Sequence, residues 1–214
     1  MLGGIGSILF SFFYESSTTN PNAIIAILCA TIGFALLSLL GGLIYSFLTI
    51  TLRCNQNVVG LTLTIFGSGV ANFFGGVLMT LTGGVGQVAM KFTSSTFKTT
   101  LPFLSTKFGI VSEIFFDYGF VFYLALVLAI VLHYFLNKTR TSLNLRAVGE
   151  NPATADACGI NYKKYKYTAA LVGCLICGFG GMYYSMDYIM STWTNDGAIE
   201  AIEWLSLALV IFSS

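Results

Sequence analysis

Two long stretches without a charged side chain constrain this chain more than any other feature. No Asp, Glu, Lys, Arg or His lies between Glu15 and Arg53, and none between Arg53 and Lys91. A helix needs about 20 apolar residues to cross a bilayer. Lipid offers no partner to exposed backbone N–H and C=O groups, so an intact helix is the economical way to span it. Each stretch holds one complete crossing. The same apolar-run criterion places four full spans at roughly Ala23–Leu48, Val58–Leu81, Gly119–Leu136 and Tyr167–Tyr188. With 56% hydrophobic and 9% charged residues, the chain is far from the roughly 25% charge of soluble domains. The fold class expected is an all-α membrane protein: a polytopic transmembrane helix bundle with partial helices at both ends. The end runs, Met1–Phe13 and Ala201–Phe212, are too short to cross, and Met1–Phe13 lacks the basic start and cleavage site of a secretory signal. The expectation is that residues 1–214 form a single transmembrane domain cut from a longer chain.

Charge orients the spans. The segment 137–166 carries Lys138, Arg140, Arg146, Lys163, Lys164 and Lys166 against only Glu150 and Asp156. Positive residues favour the cytoplasmic side, so this loop is placed there. Alternation then puts Arg53 on the same side, with Glu15, Lys91, Lys98, Lys107, Glu113, Asp117, Asp187 and Asp196 opposite. Within the long loop from Thr82 to Tyr118, the outer stretch Lys91–Lys107 is rich in Ser and Thr, and reads as an external docking surface or, more commonly, a solvated connector.

Within 137–166, residues 145–160 read Leu-Arg-Ala-Val-Gly-Glu-Asn-Pro-Ala-Thr-Ala-Asp-Ala-Cys-Gly-Ile. Asn151 is a good N-cap, Pro152 suits a first helical turn, and Gly159 stands where a left-handed C-terminal cap would end the helix. A helix over Pro152–Cys158 would be only about 10 Å long, too short to persist alone in water. Ala153, Ala155 and Ala157 keep it thin enough for a groove on another protein.

Inside the second span, Gly60, Thr64, Ser68, Asn72 and Gly76 recur every four residues. Such a stripe makes one small, partly polar face on a helix. It packs against a neighbouring helix, the favoured reading. Alternatively, Thr64, Ser68 and Asn72 line a translocation pathway in which Phe73 stacks on a solute ring. The fourth span repeats the small-residue theme at Gly173, Cys177, Gly178, Gly180 and Gly181.

Chemistry of other kinds has little to stand on. There is no G-x-x-x-x-G-K-[ST], so the chain has no P-loop nucleotide site of its own. Gly84-Val-Gly86-Gln-Val-Ala89 follows a span rather than a strand and lacks the acidic residue of a dinucleotide site. His133 is the single histidine, and Cys174-x-x-Cys177 lies in an apolar span, so no metal site, catalytic triad or redox pair is expected. No basic, aromatic-rich face points to nucleic acid. An intramembrane enzyme would want ionisable groups inside its spans.

The motif Leu145-Arg-Ala-Val-Gly149-Glu150-Asn151-Pro152, closed by Ala157-Cys-Gly159-Ile160, resembles the cytoplasmic coupling segment of ABC importer permeases. More narrowly, it is similar to the family serving simple sugars, nucleosides and branched-chain amino acids. Asn57-Val-Val-Gly60-Leu-Thr-Leu-Thr64 and Trp204-Leu-Ser-Leu-Ala-Leu-Val-Ile-Phe212 resemble the sugar and nucleoside branch, so the likeness covers about residues 50–214. Before the last helix the chain has Asn195-Asp-Gly197-Ala-Ile-Glu200 where the resemblance leads one to expect a Gly-rich loop.

The resemblance implies a multi-pass permease of the plasma membrane with no catalytic residues and no cofactor of its own. Its implied partners are an ABC ATPase subunit that uses the ATP, a second permease subunit, an extracytoplasmic solute-binding protein and membrane lipid. Gly149 would make the turn, and Glu150, Asn151, Pro152, Ala153, Ala155 and Gly159 would belong to the part seated in a cleft of the ATPase. The cargo implied is a nucleoside or simple sugar. A branched-chain amino acid on the same architecture, or a truncated scaffold that transports nothing, are the competing readings.

Overall fold

The computed structural model describes residues 1–18, 21–82, 88–97, 119–193 and 197–213. Four helices among them are long and apolar enough to cross a membrane: Ala23–Thr51, Gln56–Leu81, Phe120–Lys138 and Tyr162–Tyr188. These are the four expected spans. The fourth begins earlier than its apolar run because the Asn161 side chain caps it, accepting from the Lys164 N–H at 3.2 Å.

The order is α1 (Leu2–Ser17), α2 (Ala23–Ser46), α3 (Gln56–Leu81), β1 (Val88–Ala89), α4 (Lys91–Phe97), α5 (Phe120–Lys138), α6 (Arg140–Glu150), α7 (Pro152–Ala157), α8 (Tyr162–Tyr183), β2 (Thr192–Trp193) and α9 (Gly197–Ser213). Two spans end in wider π-helical turns, α2 at Phe47–Thr51 and α8 at Tyr184–Tyr188. The all-α class holds. The exception is a ladder of two residues per strand, in which Val88 faces Trp193 and Ala89 faces Thr192.

The centre of the bundle is α1, one of the short end helices. Gly3, Gly4, Ile5, Gly6, Ser7, Ile8 and Ser11 are all buried. A Cβ added at Gly6 would stand 2.5 Å from the Gly33 carbonyl oxygen, and one at Gly3 would stand 2.6 Å from the Gly178 backbone. Small residues therefore bring α1 into backbone contact with α2 and α8, the way helices associate where lipid supplies no hydrophobic drive. The Ser7 hydroxyl donates to the Gly4 carbonyl at 2.7 Å and meets the Ser185 hydroxyl at 2.9 Å, so its burial costs little.

The two ends of the bundle differ. At one, the Glu15 carboxylate accepts from the Phe92 N–H at 3.3 Å and the Thr93 hydroxyl at 3.0 Å, holding the first turn of α4. Phe97, Trp193 and Met90 are buried there, and the Asp187 carboxylate lies against Gly119. At the other, Thr51 meets Tyr167, and Gln56 shares a small cavity with Gly149 and Lys166. Arg53 and the segment 137–166 thus lie at one end, with Glu15 and Asp187 at the other, as span alternation requires. Lys98, Lys107, Glu113, Asp117 and Asp196 lie outside the described residues.

Helices α5 and α9 are peripheral. Val121 is the buried residue of α5, and the apolar side chains of α9 are largely exposed, with Glu203 paired to the Met1 amino group.

Candidate functional site

The segment expected as the loop 137–166 is folded almost throughout, into α6, α7 and the first turn of α8. Helix α6 escapes an apolar-run reading because most of its residues are polar or small. Its own start signal is Thr139, whose hydroxyl accepts from the Ser142 N–H at 3.3 Å. Arg146 donates to the Leu136 carbonyl and to Asn137 Oδ1, both at 3.3 Å, and the Ser142 hydroxyl donates to the same carbonyl. The Leu136 carbonyl belongs to the last turn of α5, where backbone acceptors have no intrahelical partner and favour a cation. Asn144 Nδ2 donates to the Tyr165 hydroxyl at 3.0 Å, and Val148 is buried. So α6 is fastened to α5 at one end and to α8 along its length.

Helix α7 has the bounds its punctuation demands. Asn151, with φ −144° and ψ 96°, accepts at Oδ1 from the Ala153 N–H at 3.1 Å and the Thr154 N–H at 3.2 Å. Gly159 has φ +80°, its N–H donates to the Asp156 carbonyl at 2.9 Å, and the Ile160 N–H donates to the Ala155 carbonyl at 3.0 Å. That pair of bonds is a Schellman cap, which a left-handed glycine makes possible. Ala155 is buried and Pro152 half-buried, while Glu150, Ala153, Thr154, Asp156 and Ala157 are exposed. Glu150, Asn151, Thr154 and Ala155 line a shallow cavity of about 210 Å³ between α6 and α7, together with Ala147 and Cys158.

One residue of the motif behaves differently from expectation. Gly149 does not make the turn: it lies within α6, away from positive φ, and a Cβ there would meet nothing within 4 Å. The chain turns at Asn151, whose extended backbone breaks the helix, and again at Gly159.

Because a six-residue helix cannot hold itself, its cap has a measurable value. Asn151→Ala is expected to remove about 1 kcal/mol of local stability. Amide hydrogen exchange at Ala153 and Thr154 should quicken about fivefold as a result; unchanged rates would show the cap to be dispensable.

The small-residue stripes sort differently from the packing expectation. The face of α3 that packs is Val59, Gly67, Ala71, Gly75 and Leu78, with the Trp193 indole against Gly75. The stripe of Gly60, Thr64, Ser68, Asn72 and Gly76 lies beside it. Gly60 and Gly76 have open space where a Cβ would be, Thr64 donates to the Gly60 carbonyl at 3.1 Å, and Asn72 is exposed. Phe73 is exposed and sits edge-to-face with Phe74, centroids 5.4 Å apart. Both stripes share a four-residue period, and the sequence carries no mark of which one faces the bundle. In α8, Gly178 packs on Ser38 and Gly181 on Gly4, whereas Gly173 and Gly180 face open space. Cys174 packs on Gly42, while Cys177 is exposed.

Tyr165, Tyr167 and Thr51, which carry the polar contacts around α6 and the end of α2, have no motif to announce them. The available signal was their hydroxyls at the membrane-interface ends of two spans.

Comparison with known proteins adds the family. A Haloferax volcanii protein that carries the name of a glucose ABC transporter permease is 32% identical over 170 residues, covering 79% of this chain and 49% of its own length. The guanosine ABC transporter permease protein of Bacillus subtilis is 29% identical over 217 residues, 99% of this chain and 63% of its own. The nucleoside ABC transporter permease protein of Lactococcus lactis is 29% identical over 216 residues, 99% of this chain and 63% of its own. The chain therefore spans from about half to somewhat under two-thirds of the length of these relatives. No solved structure matches. A family model described as branched-chain amino acid transport system / permease component matches residues 1–213, which extends the likeness through α1 and α2. With four apolar spans, a doubly capped helix between two of them and that match over nearly its whole length, the chain belongs to this permease family.

Proposed function

We propose that the chain is the membrane permease subunit of an ATP-driven importer, that its cargo is a nucleoside or simple sugar, and that α7 is where ATPase subunits push. The observation that carries this reading is α7 itself. It is a helix capped at both ends, with Ala155 buried and a small exposed surface at Ala153 and Ala157, on a base tied to two spans. An ATPase pair that closes differently with and without ATP could bias the bundle only through such a differential contact. In this reading residues 1–214 act as one transmembrane unit in the plasma membrane, with 137–166 cytoplasmic on the charge argument.

The other partners are a second permease subunit, a solute-binding protein on the outer side, and lipid around the apolar spans. ATP is used on the ATPase chains. The stripe of half-buried Thr64 and Ser68 and exposed Asn72, with exposed Phe73 next to it, fits a path for a neutral polar solute with a ring. The nucleoside and glucose names of the relatives support that choice of cargo. The family's description favours a second cargo, a branched-chain amino acid.

Affinity purification of the full-length gene product from detergent-solubilised membranes tests the reading. A P-loop ATPase is expected to travel with it, and proteoliposomes of the complex should take up labelled nucleoside or glucose with ATP. Uptake of leucine instead would transfer the assignment to the amino-acid cargo. A preparation that holds no ATPase under conditions preserving other transporters would leave the scaffold reading.

A further inference from the structure

The start of α8 stands between the coupling elements and the end of α2, and two tyrosines there reach in different directions. Tyr165 accepts from Asn144 of α6 at 3.0 Å. Tyr167 shares a hydroxyl–hydroxyl contact with Thr51, the last residue of the π-helical turn that ends α2. Residues two apart on a helix do not share a face, so one short stretch of α8 grips α6 on one side and α2 on the other. Between α6 and that turn lies a cavity of about 190 Å³, bordered by Tyr45, Thr49, Gln56, Val148, Gly149 and Lys166. Movement of α6 therefore has space before it strikes α2, and the polar connection between them runs through α8.

The end of α2 departs from ordinary helical spacing. In the turn Phe47–Thr51 the Leu52 N–H reaches back to the Phe47 carbonyl at 3.2 Å, one residue wider than an α-helical turn. Arg53 then adopts φ 53°, a left-handed conformation that is costly for a residue other than glycine. Tightening it to ordinary helical spacing would swing Thr51 away from Tyr167.

We infer that Tyr165 and Tyr167 are positioning residues that carry movement of α6 to the α2–α3 corner, with the Thr51–Tyr167 contact holding the wide turn in one of two registers. This deepens the importer reading and rests on it. A transmission role needs such a two-state element, because spatial intermediacy alone is no coupling.

The test uses the full-length chain assembled with its ATPase and second membrane subunit in proteoliposomes, comparing Thr51→Val, Tyr167→Phe, Tyr165→Phe and the Thr51→Val/Tyr167→Phe double variant. Each single variant should assemble and hydrolyse ATP like the parent while solute moved per ATP falls about fivefold, the factor that one hydrogen bond is worth. The double variant should be no worse than its singles, since both remove one shared contact. Thr51→Ser, which keeps the hydroxyl, should restore the ratio. Parental solute per ATP in the singles, multiplying losses in the double, or a loss of assembly that Thr51→Ser does not rescue would each overturn the proposal. A parent chain that recruits no ATPase and drives no uptake fails the importer reading itself, a result visible before any variant is made.

Discussion

Gly33→Leu is expected to cut sharply the folded protein recovered in detergent extracts of the full-length gene product. A Cβ at Gly33 would collide with the Gly6 carbonyl oxygen and lie 2.9 Å from the Phe10 Cβ, so the obstacle is mostly backbone. A flexible side chain could yield, whereas two helix backbones in contact can only separate. Separation strips α1 from α2 along the most buried seam in the bundle. Overpacking typically costs about 1–3 kcal/mol, and a backbone-to-backbone clash belongs at or above the upper end. Against a total stability of about 5–15 kcal/mol, that is a large share. Gly173→Leu is the matched control, because a Cβ at Gly173 meets nothing within 4 Å. Size-exclusion profiles of fluorescent fusions should show a monodisperse peak for Gly173→Leu and a collapsed one for Gly33→Leu. Equal peaks would mean that the α1–α2 crossing does not organise the bundle.

The same crossing shows where the sequence is legible and where it is not. Hydrophobic length is what lipid requires, so the four spans could be drawn from charge-free runs. Being central is another matter. Leu2–Ser17 is too short to register as a span, yet it is the most enclosed helix, because Gly3, Gly4, Gly6, Ser7 and Ser11 let neighbouring backbones close on it. Glycine and serine score poorly on an apolar-run criterion and well on close approach, so the criterion for crossing a membrane misses the criterion for packing inside one.

The offset stripes on α3 make a related point. Gly67, Ala71 and Gly75 pack, while Ser68, Asn72 and Gly76, one residue further along, do not pack in the same way. Both sets are small and both repeat every four residues, so their difference is a rotation of about 100° that only the neighbours fix. The α7 bounds, in contrast, were legible nearly to the residue. Cap chemistry is local, and Asn, Pro and Gly each act on their own backbone.

That locality also decides between the two glycines of the segment 145–160, with Gly159→Val expected to undo α7 and Gly149→Ala to spare it. Gly159 has φ +80°, where a β-branched side chain is strained by about 1–3 kcal/mol. Avoiding the strain breaks the bonds from Gly159 to Asp156 and from Ile160 to Ala155, which are the C-terminal closure of a helix six residues long. With nucleation this costly, a helix so short does not survive loss of an end. Gly149 stands in the reverse position: it is helical, exposed and open around a new Cβ, and alanine is favoured over glycine there by about 0.5–1 kcal/mol. Hydrogen exchange at Ala153–Cys158 in the solubilised full-length protein should rise at least about fivefold in Gly159→Val and stay level in Gly149→Ala, by the strain estimate above. ATPase recovered on affinity purification should fall with Gly159→Val in the same proportion, because an unwound segment must be refolded before it can seat. Intact recovery alongside fast exchange would show that the partner accepts the segment unfolded, and α7 would then be a product of docking rather than its preformed key.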